Sequence, residues 1–422
     1  MNRFNGKNIL LLQGPMSGFF KKLSKELNEN GADVLKINFC GGDVLYYPDG
    51  INYTKSLENF GEWLKPFLKE NTIEMVMLFN DCSIQHKQAI AVLKELGIPV
   101  YIFEEGYIRP HFITMERCGI NANSLLPRTR SFYENYKLKG EAPKITNAPV
   151  FHKTVRSVFW YGLACKATDW FLFPEYKHRR TLSFKEMACF IGFKIKLYTK
   201  KADSQKKIDC YLSNNGNRFF VPLQIADDIQ ITHHSDYLMT EEFIGHTLGA
   251  FACGAKKDDA IMFKHHPLDH KNNYTKTINK FIKLYGLQNR VFYVQNGHLP
   301  TILRESTATI TINSTVGFSS LLHNLPTFSA GRAIYNIDGL STSYEEIKMD
   351  QFFAEPKSFM PSKRAVQGFY EMLIDSTQCQ GSFYKNIKCG KGATGIKWPL
   401  SIYEPNKHME FFHNGCVNVA SA

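Results

Sequence analysis

A chain of 422 residues with 44% hydrophobic and 21% charged residues has ordinary globular usage and the length of two or three domains. Mostly disordered and collagen-like chains are thereby excluded. The net charge of +12 calls for an anionic partner, whether nucleic acid, an anionic membrane surface or an anionic substrate such as a nucleotide sugar. The longest purely apolar runs, such as Ile9–Leu12, fall far short of the ~20 residues that a membrane-crossing helix needs. The amino-terminal apolar run is too short for a signal peptide, so a cytosolic chain is expected. Ten cysteines without a CxxC pair read as buried or free thiols, and a zinc site is not expected.

Residues 8–148 alternate strand and helix signals. NILLLQ (8–13) is a short strand broken by Gly14-Pro15, and Phe19, Phe20, Leu23 and Leu27 then mark one face of a helix ending at Gly31. ADVLKINF (32–39), EMVMLFN (74–80) and IPVYIFEEG (98–106) are further strands, with the helix QHKQAIAVLKELG before the last. This order predicts a parallel sheet with helices on both faces and a ligand rim beyond the carboxyl ends of its strands. Gln13, Asp43, Asp81, Glu104 and Glu105 would share that rim.

Residues 151–201 differ in texture, with eleven Lys/Arg, three Asp/Glu and twelve aromatic residues. A helical insertion with a solvated basic face accounts for this, and so does a surface that sits on an anionic bilayer. No nucleic-acid-binding signature accompanies it, and no nucleic-acid partner is expected. A second α/β unit starts at RFFVPLQI (218–225) and continues through a helix near 237–253, AIMFKHHP (260–267), RVFYVQ (290–295), TATITIN (307–313) and PTFSAG (326–331). The resulting division is 1–150, 151–215, 216–384 and a loosely ordered tail at 385–422. Two Rossmann-like domains facing one cleft is the GT-B architecture of glycosyltransferases, although other two-domain α/β proteins share the pattern.

Three short motifs could carry chemistry. Asn313-Ser314-Thr315-Val316-Gly317 follows a strand and opens an apolar helix, which makes it either a plain cap or an anion site at a helix amino terminus. Lys264-His265-His266-Pro267 ends a strand, where a lysine and an imidazole can hold phosphate. Glu104-Glu105-Gly106 ends the fourth strand with Arg109 behind it; adjacent carboxylates on a strand point to opposite faces, so one faces the rim and the other is tied down. No GxGxxG, P-loop, GxSxG, HExxH or Asp-x-Asp is present.

Together, LLLQGPMSGFF, INFCGGDVLYY, FNDCSIQHK, FEEGYIRPHFITMERCGINANS, VPLQIADDIQITHHSDY, FKHHPLD and TINSTVGFSSLLHNLP resemble capsule polysaccharide proteins of the KpsS/LipB type, over roughly residues 8–384. The resemblance implies a retaining β-Kdo glycosyltransferase that uses CMP-Kdo, needs neither cofactor nor metal, and places Kdo on a phosphatidylglycerol lipid. That step would prime the linker of a Gram-negative capsule at the inner face of the inner membrane, alongside other capsule assembly and export proteins. By the same resemblance Gln224, Asp228, His234, Ser235, Lys264, His266, Pro267, Asn313, Ser314, Thr315 and Gly317 bind the donor. Glu105 is the catalytic carboxylate, at a position where chain-extending relatives carry Asp. Gln13, Asp43, Asp81, His86, Glu104 and Arg109 fall on the acceptor side. The alternatives are transfer of another sugar, extension of a Kdo chain, and a non-catalytic assembly or export partner.

Overall fold

The computed structural model describes residues 4–144, 149–176, 192, 199–225 and 234–403. They divide into two compact units. One takes its residues from the stretches up to 127, 137–176 and 371–403; the other takes 128–136 and the described residues between 184 and 370.

In the first unit, β1 (Asn8–Leu11), β2 (Asp33–Asn38), β3 (Ile51–Asn52), β4 (Met75–Phe79), β5 (Val100–Glu105) and β6 (Phe112–Arg117) come in chain order. The second contains β7 (Arg218–Pro222), β8 (Ala260–Lys264), β9 (Val291–Val294), β10 (Ala308–Thr311), β11 (Thr327–Ser329) and β12 (Thr342–Ser343). A last strand, β13 (Gln378–Gln380), returns to the first unit.

The first sheet is ordered β13-β6-β5-β4-β1-β2-β3. Its central strands are apolar on both sides because helices cover both faces. Ile9, Leu11, Met75, Met77 and Phe103 pack with Phe19, Phe20, Leu23 and Leu27 of the helix Phe19–Glu29. The alternate residues Leu10, Leu12, Val76, Leu78 and Ile102 pack with Phe60, Leu64, Leu68, Ala89 and Leu93 of the helices Phe60–Glu70 and Ile84–Glu95. The expected all-parallel sheet is corrected at one edge, where β6 runs antiparallel to β5 and β13 antiparallel to β6. Only residues 106–111 join β5 to β6, too few for the crossover that a parallel pair requires.

The second sheet, β12-β11-β10-β7-β8-β9, is parallel throughout. Phe219, Val221, Ile261, Phe263 and Ile310 face one helical layer, and Phe220, Ala260 and Met262 face another that includes Ile208, Tyr211, Ile302 and Leu303.

The loosely ordered tail expected from 385 is corrected as far as residue 403. Ile396, Trp398 and Ile402 are buried in the same core as Phe19 and Phe103. Glu26, itself buried, accepts from the Thr394 amide at 2.9 Å and from the Trp398 indole at 2.7 Å. The apolar positions are irregularly spaced because this stretch packs as loop, so no helical or strand period betrays it. Seven described cysteines are free, in line with the thiol reading, whereas Cys118 is disulfide-bonded.

Trp398→Ala is therefore expected to cost about 3–5 kcal/mol, as for other large aromatic truncations in cores. Urea unfolding measures it; an unchanged midpoint would remove residues 381–403 from the core.

Candidate functional site

Strand order locates a crevice in each sheet. In the first unit the chain steps from β1 towards β2 and β3 on one side and from β4 towards β5 on the other, so direction reverses between β1 and β4. Open α/β sheets take ligands at the carboxyl end of such a reversal. Here that place is packed with protein. Gln13 Nε2 donates to Asp43 Oδ2 at 3.0 Å, and the Tyr161 hydroxyl donates to Asp43 Oδ1 at 2.8 Å. Gln85 Nε2 and the Tyr176 hydroxyl both donate to Gln13 Oε1, at 2.9 and 3.0 Å. Gln13, Asp43, Gln85 and Tyr161 are all buried. Tyr161 belongs to the long helix Phe151–Leu172, whose Cys165 accepts from the Gly42 amide and whose Asp169 accepts from that of Gly41. The structure thus joins Gln13 and Asp43 to each other and to this helix.

One strand further along, the rim is polar and more open. Asn80 follows β4 in the left-handed region at φ 69°, and its carbonyl accepts from His86 Nδ1 at 2.8 Å. Its amide donates to Glu104 Oε2 at 3.3 Å, and the Glu105 backbone N–H donates to Glu104 Oε1 at 3.1 Å. Burial, then the neighbouring Glu105 and Asp81 carboxylates, lift the Glu104 carboxyl to about 7 despite the Glu105 amide. Asp81 is buried and accepts from Asn123 Nδ2 at 3.1 Å and from the Cys82 thiol at 3.2 Å. Glu105 points away from this cluster to a 3.0 Å ion pair with Arg109, both side chains well exposed. A negative rim thus presents one solvated carboxylate and one that titrates near neutrality. The sequence places Glu104 on the acceptor side but does not reveal its raised carboxyl, because that environment comes from β4 and the loop after it.

In the second unit the reversal lies between β7 and β10. Just beyond those strands, Gln224 Nε2 donates to Asn313 Oδ1 at 3.0 Å and the Asn313 N–H donates back to Gln224 Oε1 at 3.4 Å. Ser314 caps the helix Thr315–Leu322, its hydroxyl accepting from the Val316 N–H at 3.2 Å. Its carbonyl accepts from the Tyr335 hydroxyl at 2.7 Å. A Cβ on Gly317 would lie 2.1 Å from that hydroxyl, which is why a glycine stands inside the helix. Thr315 opens the helix, so the whole 313–317 motif sits at its amino terminus.

Lys264 ends β8, the neighbour of β7 on the other side. Burial alone holds its ammonium below the usual lysine range, and it has no carboxylate partner among the described residues. Of the two histidines that follow, His265 is core: its Nε2 donates to the Asp269 carbonyl at 2.6 Å and its Nδ1 accepts from Tyr293 at 2.8 Å. His266 lies at the rim, its Nδ1 accepting from the Leu268 N–H at 3.2 Å, with exposed Pro267 beside it. His234 is buried, and its carbonyl accepts from the Arg332 N–H at 2.7 Å. Ser235 packs close to Gly331, just past β11. Gln224, Lys264, Asn313 and Ser314 therefore share one edge of one sheet, with His234 and Ser235, which precede the helix Thr240–Gly254, packed against the loop after β11. Asp228 lies outside the described residues.

Two outcomes are expected. Gly317→Ala displaces Tyr335 and costs about 1–3 kcal/mol by overpacking, read from urea unfolding; an unaltered midpoint would mean the Tyr335 contact is dispensable. Glu104 binds its proton more tightly when folded than when unfolded, so its contribution favours the folded state at low pH and declines as pH rises towards and through about 7. Glu104→Gln should flatten that part of the stability–pH curve between pH 5 and 8; an identical curve would refute the shift.

Comparison with known proteins supplies the family. Residues 74–384 match the family described as "Capsule polysaccharide biosynthesis protein". The Capsule polysaccharide export protein KpsS of Escherichia coli is 33% identical over 390 residues, 90% of this chain and 97% of that one. The Capsule polysaccharide modification protein LipB of Neisseria meningitidis is 31% identical over 401 residues, 91% of this chain and 93% of its own. Among solved structures, KpsC of Thermosulfurimonas dismutans, a beta Kdo 2,7 transferase, aligns over 94% of this chain and 98% of its own, at 13% identity and TM-score 0.44. UDP-GlcNAc 2-epimerase of Methanocaldococcus jannaschii aligns over 92% and 97%, at 12% identity and TM-score 0.32. Because the family match runs from the residue before β4 to the loop after β13, and so spans both rims, this chain belongs to the capsule polysaccharide biosynthesis protein family.

Proposed function

We propose that this chain is a retaining, metal-independent β-Kdo glycosyltransferase of GT-B type. It moves Kdo from CMP-Kdo to a phosphatidylglycerol lipid and primes the poly-Kdo linker of a capsular polysaccharide. The observation that carries the reading is Lys264, a desolvated ammonium without a carboxylate partner among the described residues, on the same sheet edge as the helix opened by Ser314. A cation in that state gains most from an anion, and the amino terminus of a helix attracts one too. Lys264, His266 and the 313–317 turn would hold the phosphate of CMP, with Gln224, His234 and Ser235 beside them and Asp228 in the same segment.

On this reading the bond from the anomeric carbon to the CMP oxygen breaks, and Lys264 and the helix terminus stabilise the departing phosphate. Glu105 either attacks the anomeric carbon as CMP leaves and is itself displaced by the acceptor oxygen in a second step, or steadies the cation while the acceptor hydroxyl enters from the face that CMP leaves. The hydroxyl proton then needs a base, and a carboxyl that titrates near 7, as Glu104 does, suits neutral pH. Arg109, exposed at the rim, would meet the acceptor, with the buried Asp81 and His86 holding the loop beneath it.

The lipid acceptor requires access to a membrane surface. No helix among the described residues is long and apolar enough to cross a bilayer. The 151–172 helix instead exposes Trp160, Trp170 and Phe171. Lys153 and Arg156 are exposed on the same side as Trp160, since residues four and seven apart share a helix face. Rings at headgroup depth and cations on lipid phosphates fit an anionic leaflet.

Purified protein is expected to add one Kdo to a fluorescent phosphatidylglycerol in the presence of CMP-Kdo and EDTA, read by mass spectrometry. Glu105→Gln should lower product about a hundredfold or more while CMP still binds, and Lys264→Ala should weaken CMP binding. Kdo transfer only to a Kdo-terminated acceptor would make this an extending enzyme. Capsule production undiminished by Glu105→Gln would establish a non-catalytic export role. Replacing Trp160, Trp170 and Phe171 with Ser should cut sedimentation with phosphatidylglycerol vesicles severalfold; undiminished binding would reject the helix as the membrane face.

A further inference from the structure

The first unit holds a recess of about 640 Å³ that neither rim contributes to. It is built by the 387–398 loop against the end of the 19–29 helix and residues 141–144. The loop is firmly held: the Cys389 and Gly390 N–H groups donate to the Gly395 carbonyl at 2.9 and 3.0 Å, Lys397 bridges to Gln380 by backbone hydrogen bonds, and Glu26 grips Thr394 and Trp398 from beneath. Lys144, Lys388, Lys391 and Lys397 line the space against Glu141 and the already bonded Glu26. Lys397 pairs with Glu141 at 2.8 Å. The ammonium groups of Lys388 and Lys391 make no hydrogen bond or ion pair among the described residues. This wall is therefore net positive.

Next to it lies a second recess of about 290 Å³ that shares Glu141, Gln380, Lys397 and Trp398 with the first. Its chemistry is different, because Phe112, Pro143, Ile374, Trp398, Pro399 and Leu400 supply half of the lining. The polar groups there are already engaged: Asp375 accepts from the Lys139 and Gly140 N–H groups, and Gln378 donates to Thr114. A cationic recess that adjoins an apolar one, with four lining residues in common, favours a ligand with both characters, since burying a bare anion or a bare chain would satisfy only half of the site.

We propose that these adjoining recesses together bind an anionic amphiphile, with a phosphate or carboxylate head at Lys388 and Lys391 and an apolar chain against Phe112 and Leu400. The site goes beyond the transfer reaction, and its test needs no sugar donor, so each stands or falls separately. Titration calorimetry of the full chain with decyl phosphate, below its aggregation concentration, should show saturable one-to-one binding. The double variant Lys388→Ala/Lys391→Ala should weaken it about tenfold, as expected for losing charge-assisted contacts. Both lysines are exposed, so the fold is retained in that variant. Decyl maltoside and inorganic phosphate test chain and head alone and should bind at least tenfold more weakly. Inorganic phosphate binding as tightly as decyl phosphate would overturn the proposal in favour of a small-anion site. Equal binding of decyl maltoside would overturn it in favour of a purely apolar pocket. Absence of binding, or binding indifferent to the lysine variant, would also overturn it.

Discussion

The hydroxyl of Tyr161 reaches Asp43, Gln13 and Cys40 at once, inside the place where the first sheet reverses its strand order. A buried carboxylate is costly unless its oxygens are satisfied, and Asp43 is satisfied by that phenol, by Gln13 and by the Phe39 N–H at 3.0 Å. The 151–172 helix is therefore a structural member of the first unit, sealing the crevice that this topology would otherwise leave for a ligand. The open chemistry of that unit is displaced by one strand, to Asn80, Glu104 and Glu105. The same helix carries its aromatic and basic residues on the side away from Tyr161, so one segment closes the sheet inward and faces solvent outward.

The second unit resolves the same topological feature in the opposite way. Its reversal is bordered by a reciprocal Gln224–Asn313 pair, a capped helix terminus and a lysine whose charge burial disfavours. Satisfied polar groups rigidify the edge, and the lysine leaves it electrostatically incomplete. In the first unit a carboxyl is driven towards its neutral form, and in the second an ammonium is. Both shifts arise from desolvation at strand ends, where side chains leave the core but do not fully reach water.

Much of this was legible in the order of residues. The strands at 8–13, 74–80, 98–106, 218–225, 260–267 and 307–313 announced themselves as short apolar runs that end in Gly, Pro, Asn or charged residues, and the motifs at their ends followed from the βα rhythm. What stayed hidden depended on contacts between distant stretches. Nothing near Glu104 distinguishes it from Glu105, because its burial is imposed by Asn80 and Asp81 across a strand pair. Nothing near Gly317 announces Tyr335. His265 and His266 read alike until Tyr293 and the Asp269 carbonyl claim the first. Trp398 and its neighbours lack periodicity because loops pack by shape and not by repeat.

The β13 strand carries a consequence for how the molecule is made. It pairs with β6, and Gln378 accepts from the Tyr107 N–H at 3.0 Å, so the segment leading out of β5 is bonded to a residue synthesised some 270 positions later. On the ribosome, β6 emerges and waits as an open edge while the whole second unit is translated, and an open edge invites wrong pairing. The second unit, drawn from nearly continuous sequence, can complete its sheet first. The first unit is thus begun at one end of translation and closed at the other, when the final strand covers the edge of β6.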